Sequence, residues 1–305
     1  MNKFVIPSNL LALPNSIQFR SNSINCFYKS YRQRVNKLVC VNREQMSVVR
    51  ESAYSGRLKK GSRRRLNNAL ESLVVLCPER KVLNPATQKN FRFRLAFLTL
   101  TLPKQITALQ EESIHTTLLK PFLQHLERRH KVSKFVWRLE RTKAGRLHWH
   151  IVIDQCIHYK HIRNGWNKLL RQNRLLDQYA KEHGNYNAPS TDIRSVKSVD
   201  QSLKYMRKYL GKEESNEKQM KGRVWDASLV VKRFVFPVIE NARYEVEELL
   251  TWVDWSAKGN IISEWFVHVG LDSLRLDREW REWHRKVLGE CVMLYDLQLN
   301  VANVG

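Results

Sequence analysis

Arg146-Leu147-His148-Trp149-His150-Ile151-Val152-Ile153 alternates between two kinds of side chain. On a β-strand, neighbours two apart share a face, so Trp149, Ile151 and Ile153 project to one side while His148 and His150 project together to the other. The first face requires a packed core. The second carries two imidazoles a pleat apart, which can share one divalent ion if a third ligand arrives from an adjacent strand. A His-x-His pair alone does not decide between a metal site and polar strand surface, so the segment before it matters.

Phe135 to Glu140 reads as a strand, and Lys143-Ala144-Gly145 supplies a three-residue loop with Gly where a left-handed backbone is wanted. The pattern therefore predicts a hairpin with a definite register. If Thr142 pairs with Arg146, Glu140 lies opposite His148 and Arg138 opposite His150, all on one face. A two-residue turn would instead send Glu140 to the other face. In the first register the cluster is His, His, Glu, a mixed nitrogen and oxygen set that suits Mg²⁺ or Mn²⁺ at least as well as zinc.

Further along, Ser202-Leu-Lys204-Tyr205-Met-Arg207-Lys208-Tyr209-Leu-Gly-Lys212 holds two overlapping copies of Tyr-x-x-Lys. With no Pro, one Gly near its end, and Ser198 and Asp200 as caps, the spacing predicts a helix over about 199–211. Tyr205 and Tyr209 then lie ~6 Å apart along one helix face, and Lys208 and Lys212 repeat the offset. A phenol of pKa ~10 is a weak nucleophile at neutral pH, but a nearby ammonium favours the phenolate and a metal can draw charge from a scissile phosphate. Attack on DNA would give a phosphotyrosine ester, close in energy to the phosphodiester it replaces and therefore reversible. A second Tyr allows a second such event.

His148-Trp-His150 followed by Tyr205-x-x-Lys208-Tyr209-x-x-Lys212 resembles the HUH endonucleases, in the order found in rolling-circle replication initiators (Rep proteins). Phe97-Leu-Thr99-Leu-Thr101 resembles that family's first motif, and the paired tyrosines look most like the two-tyrosine initiators of small single-stranded DNA phages. Relaxases match less well, because their tyrosine precedes the histidine cluster. The resemblance spans about residues 90–240, including Thr191-Asp-Ile-Arg-Ser-Val-Lys197 and Gly222-Arg-Val-Trp225.

The resemblance implies specific roles. His148 and His150 match the metal ligands, and Glu140 occupies the usual place of a third acidic ligand. Tyr205 and Tyr209 match the nucleophiles and Lys208 and Lys212 the helper lysines, with the order of attack open. Arg138, Arg146, Lys204 and Arg207 are the expected nucleic-acid contacts. Thr99 and Thr101 are strand residues beside the site, with no catalytic role assigned. The implied activity is nicking of single-stranded or origin DNA, then rejoining, to start rolling-circle replication of a phage or plasmid, with host helicase and DNA polymerase as partners. An HUH transposase would use the same chemistry, usually with one Tyr and a shorter chain. A non-catalytic basic nucleic-acid-binding protein would require three accidental motifs.

Charge points to the same partner class. The chain has 53 Lys and Arg against 29 Asp and Glu, a net +24 suited to a polyanion. Residues 241–305 carry 7 basic and 11 acidic residues, which leaves a net +28 on residues 1–240. The nuclease side is the basic side, though charge selects the partner and not the chemistry.

The 305 residues, 43% hydrophobic, suffice for one large domain or two modest ones. The pattern predicts an α+β fold with a central antiparallel sheet covered by helices, the HUH arrangement, flanked by helical N- and C-terminal extensions. Strands are expected at 93–101, 134–140, 147–154 and 191–197, and helices within 104–130 and 163–182. Expected divisions are a basic, mainly helical region 1–87, an endonuclease domain 88–240, and a helical, slightly acidic region 241–305 whose tryptophans pack in a core. Five cysteines without a CxxC pair favour a reducing cytoplasm, here of a bacterial host. Cys156, His158 and His161 lack a finger-spaced partner set and read as strand-end and helix-start residues. No signal peptide or membrane span is expected. Gly56 and Gly61 have phosphate-loop spacing, but Ser62 stands where the Lys should be, so strand separation is expected to need a separate helicase.

Overall fold

The computed structural model describes residues 14–28, 58–84, 87–142, 144–196, 220, 222–257, 259–262, 266–271 and 278–302. The chain divides into two compact units, one of residues 53–233 and the other of residues 1–52 with 234–305. No described helix is long and apolar enough to cross a membrane.

In the second unit, strands β1 (Ser16–Phe19), β2 (Ser23–Phe27), β10 (Val238–Glu240), β11 (Ile261–Ile262) and β12 (Phe266–Gly270) form one antiparallel sheet, ordered β10-β1-β2-β12-β11. Helices α7 (Arg243–Thr251) and α8 (Arg278–Ala302) accompany it. Trp283 of α8 meets Phe19 edge-on at 4.8 Å and Trp280 at 4.9 Å. The tryptophans here thus serve packing, as expected, while Trp265 lies outside the described residues. The terminal regions contribute strands as well as helices, because each strand finds its partner at the far end of the chain.

The unit of residues 53–233 contains helix α1 (Lys60–Leu76), the hairpin β3 (Arg80–Leu83) and β4 (Asn90–Phe93), and a five-stranded antiparallel sheet. The sheet comprises β5 (Leu95–Thr101), β6 (Phe135–Arg141), β7 (Leu147–Ile153), β8 (Thr191–Val196) and β9 (Trp225–Ala227), ordered β8-β5-β7-β6-β9. Between strands run α2 (Ala108–Ile114), a π-helical turn (His115–Leu119), α3 (Lys120–His130), α4 (Tyr159–Gln172), α5 (Asp177–His183) and α6 (Leu229–Arg233). An α+β architecture with a central antiparallel sheet and covering helices is therefore present.

The alternation of β7 sets the layers. Leu147, Trp149, Ile151 and Ile153 are 0–1% exposed and join Leu98, Leu100, Trp137 and Leu139 in a core with Leu118, Phe122, Leu126, Ile162 and Trp166 of the helices. Trp149, Phe122 and Trp166 meet edge-on at 5.3–5.6 Å. Burying one such side chain contributes about 2–3 kcal/mol, so a one-residue slip of β7 would exchange several of them for imidazoles. That penalty fixes the register on which the opposite face depends.

Local chemistry explains the boundaries. Thr107 and Gln110 form a reciprocal cap at the start of α2. The expected helix 163–182 is two helices, broken where Arg174 takes φ +55°. His158 caps α4 by accepting from the Lys160 N–H, consistent with a helix-start residue. The expected strand 93–101 splits at Arg94, whose guanidinium turns away to donate to the carbonyls of Val74 and Cys77 at the end of α1.

Candidate metal centre

The β6–β7 hairpin supplies the first half of the site. Thr142 and Arg146 close it: the Thr142 N–H donates to the Arg146 carbonyl at 2.8 Å, and the Arg146 N–H to Thr142 Oγ1 at 3.1 Å. Gly145 adopts φ +74°, the left-handed conformation that the three-residue loop needs. A Cβ there would also lie 3.0 Å from Gln105 Nε2, which donates to the Ala144 carbonyl and ties the loop down.

With that turn, Glu140 pairs with His148 and Arg138 with His150. The alternative in which Glu140 faces away is therefore excluded. On the other side of β7, β5 sets Thr101 opposite His148 and Thr99 opposite His150. One face thus presents two rows, Glu140-His148-Thr101 and Arg138-His150-Thr99.

The side chains converge. Glu140 Oε2 lies 3.4 Å from His148 Nε2 and 3.4 Å from His150 Nε2, and the two imidazole rings are 4.5 Å apart. One ligand atom from each residue lies within 4.8 Å of the other two, so Glu140, His148 and His150 can hold a metal ion. Among the described residues no other such group occurs. Two imidazoles and one carboxylate oxygen leave coordination positions open for water and phosphate oxygens, as the expected Mg²⁺ or Mn²⁺ would need.

Two neighbours orient the ligands. Thr99 Oγ1 lies 3.2 Å from His150 Nδ1, so the Nδ1 hydrogen has an acceptor when Nε2 is the ligand atom. The other Glu140 oxygen, Oε1, lies 3.3 Å from Arg138 Nε. Burial alone would raise the Glu140 carboxyl, but hydrogen bonds from His148 and His150, with the Arg138 charge, hold it at about 2. Glu140 is therefore ionised and turns a single oxygen toward the imidazoles.

Arg138 departs from its expected role. Its residue exposure is 0%, and its guanidinium is directed at Glu140 inside the protein. A strand position between Trp137 and Leu139 offers no path to solvent, so it acts on the carboxylate rather than on DNA. Arg146 is half-buried at the hairpin turn, in the same alternation as His148 and His150. Lys204, Tyr205, Arg207, Lys208, Tyr209 and Lys212 lie outside the described residues.

The sequence reading assigned nothing to Thr99 beyond proximity. Its signal was available in the spacing, since the strand Leu95–Thr101 brings Thr99 and Thr101 to one face.

Residues 95–214 match the family model for the replication-associated proteins of the ORF2 type. The match begins at the first residue of β5, includes Glu140, His148 and His150, and continues past Lys212. It supports a replication-initiator-like protein and, with it, DNA as the partner. No curated protein and no solved structure matches the chain.

Proposed function

We propose that the protein is a two-tyrosine HUH nickase and strand transferase that initiates rolling-circle replication of a small circular phage or plasmid DNA. The observation that carries this reading is the convergence of Glu140 Oε2 on both imidazole Nε2 atoms, within a segment that matches a replication-associated family.

Glu140, His148 and His150 would hold Mg²⁺ or Mn²⁺, which when bound supplies charge withdrawal from the scissile phosphate. Thr99 and Arg138 keep two of those ligands in place. Tyr205 or Tyr209, as phenolate favoured by Lys208 or Lys212, attacks phosphorus; the tyrosine oxygen–phosphorus bond forms and the bond to the 3′-oxygen breaks. The 3′-oxygen takes a proton and is left as the primer hydroxyl, while the 5′ end stays on the protein. After one circuit the second Tyr cleaves the regenerated origin, and the 3′-hydroxyl so released attacks the first phosphotyrosine to close the circle. Arg146, Lys204 and Arg207 contact the strand, and helicase and polymerase come from the bacterial host cytoplasm.

The test is incubation with origin-bearing single-stranded DNA and Mn²⁺, followed by denaturing gels. Wild type should form a covalent adduct, Tyr205→Phe with Tyr209→Phe should abolish it, and His148→Ala should abolish it while DNA binding persists. An adduct that survives the double Tyr substitution would refute the nucleophile assignment.

A further inference from the structure

A pocket of about 600 Å³ opens beside β8, between the β3–β4 hairpin and the start of α4. Phe91, Ile157 and Ile193 give it apolar walls, and Tyr159 and Arg163 line it from α4. The two helix residues are four apart and therefore adjacent, with the Arg163 guanidinium carbon 5.5 Å from the Tyr159 ring centroid. Tyr159 is 45% exposed, an open aromatic face at the rim. Arg163 Nε is buried and has no hydrogen-bond partner among the described residues.

These features do not suit a closed core. A desolvated guanidinium N–H without an acceptor costs about 1–3 kcal/mol, and a ligand acceptor would relieve it. The ligand must also offer a flat face to Tyr159, and on a chain of net charge +24 it is best part of a polyanion. A nucleobase of a single strand meets all three requirements. Asp192, which also lines the pocket, supplies an acceptor for an exocyclic amine.

The pocket is continuous with the metal face. Asp192 pairs with Thr99, and Thr99 with His150, so the pocket wall stands two strand spacings, ~10 Å, from the centre. A strand with its phosphate at Glu140, His148 and His150 can run across β5 toward β8 and turn a nearby base out of line.

We infer that the Tyr159–Arg163 pocket binds one unstacked base of the single-stranded DNA flanking the scissile phosphate, stacked on Tyr159 and hydrogen-bonded by Arg163. The choice of DNA rests on the nickase reading, but the test needs no cleavage. The full chain is mixed with an oligothymidylate about 20 nucleotides long, longer than one site on such surfaces, carrying 5-iododeoxyuridine for photo-cross-linking. Cross-linked peptides should map to Tyr159. Tyr159→Leu and Arg163→Met should each weaken binding about tenfold, as loss of one stacked base does, and Tyr159→Phe should restore it. His148→Ala with His150→Ala should leave the cross-link in place, which separates this site from the metal centre and from any failure of nicking. Absence of a Tyr159 cross-link, or wild-type affinity in both Tyr159→Leu and Arg163→Met, would overturn the assignment.

Discussion

Arg138 is a fully buried cation on a strand beside a candidate metal centre, and its coupling to Glu140 can be worked from the geometry. At 3.3 Å the pair attracts by roughly 5 kcal/mol at an effective dielectric of ~20. Desolvation of both groups opposes this, least for Glu140, whose side chain keeps 16% exposure. A second route gives a similar scale. Holding the Glu140 carboxyl at about 2 corresponds to roughly 3 kcal/mol of preference for the ionised form, shared among His148, His150 and Arg138. We expect about 2 kcal/mol of Arg138–Glu140 coupling. The assay is a double-mutant cycle of Arg138→Met, Glu140→Gln and the double variant, by urea unfolding at pH 7 with a chelator present. A depressed carboxyl contributes stability above its unfolded pKa and loses it only as pH falls through the folded value, so at pH 7 the term is complete. Other contacts of Arg138 cancel in the cycle. Coupling below about 0.5 kcal/mol would refute the claim that the guanidinium exists to hold this carboxylate.

Other outcomes follow from single contacts. Thr99→Val removes the acceptor beside His150 Nδ1 with little change of shape, and should weaken Mn²⁺ binding about 10- to 100-fold in calorimetry while leaving the melting temperature near wild type. Gly145→Ala forces a side chain into φ +74° and against Gln105, and should lower stability by about 1–2 kcal/mol in denaturant unfolding. Asp154, 4% exposed, accepts from Ser133 and Lys134 N–H groups and from Ser133 Oγ, yet burial raises its carboxyl above the ordinary range. A raised carboxyl makes the folded state bind more protons, so its contribution to stability falls as pH rises through the folded value. Asp154→Asn should flatten that acid-side slope in melting temperature against pH.

The site hairpin was legible because its determinants are local. Gly145 fixes the turn, the turn fixes the pairing of Thr142 with Arg146, and the apolar alternation of Leu147 to Ile153 forbids a slip. From these three facts Glu140 falls opposite His148 by counting. The buried state of Arg138 was not legible, because the residues covering that face come from distant parts of the chain and an arginine reads as surface in any local window. The same nonlocality hid strands Ser16–Phe19 and Ser23–Phe27, which pair with Val238–Glu240 and Phe266–Gly270 more than 200 residues away. Arg94 is a smaller case: its guanidinium caps the end of α1, and the strand around it breaks.

The central claim is that Glu140, His148 and His150 bind one ion together, and Mn²⁺ electron paramagnetic resonance tests it most directly. Pulsed spectra of the full chain with one equivalent of Mn²⁺ should show two coupled imidazole nitrogens. His148→Ala and His150→Ala should each remove one, and Glu140→Gln should weaken binding while both remain. Mn²⁺ that binds with no nitrogen coupling, or with a spectrum unchanged by either His substitution, would contradict the account.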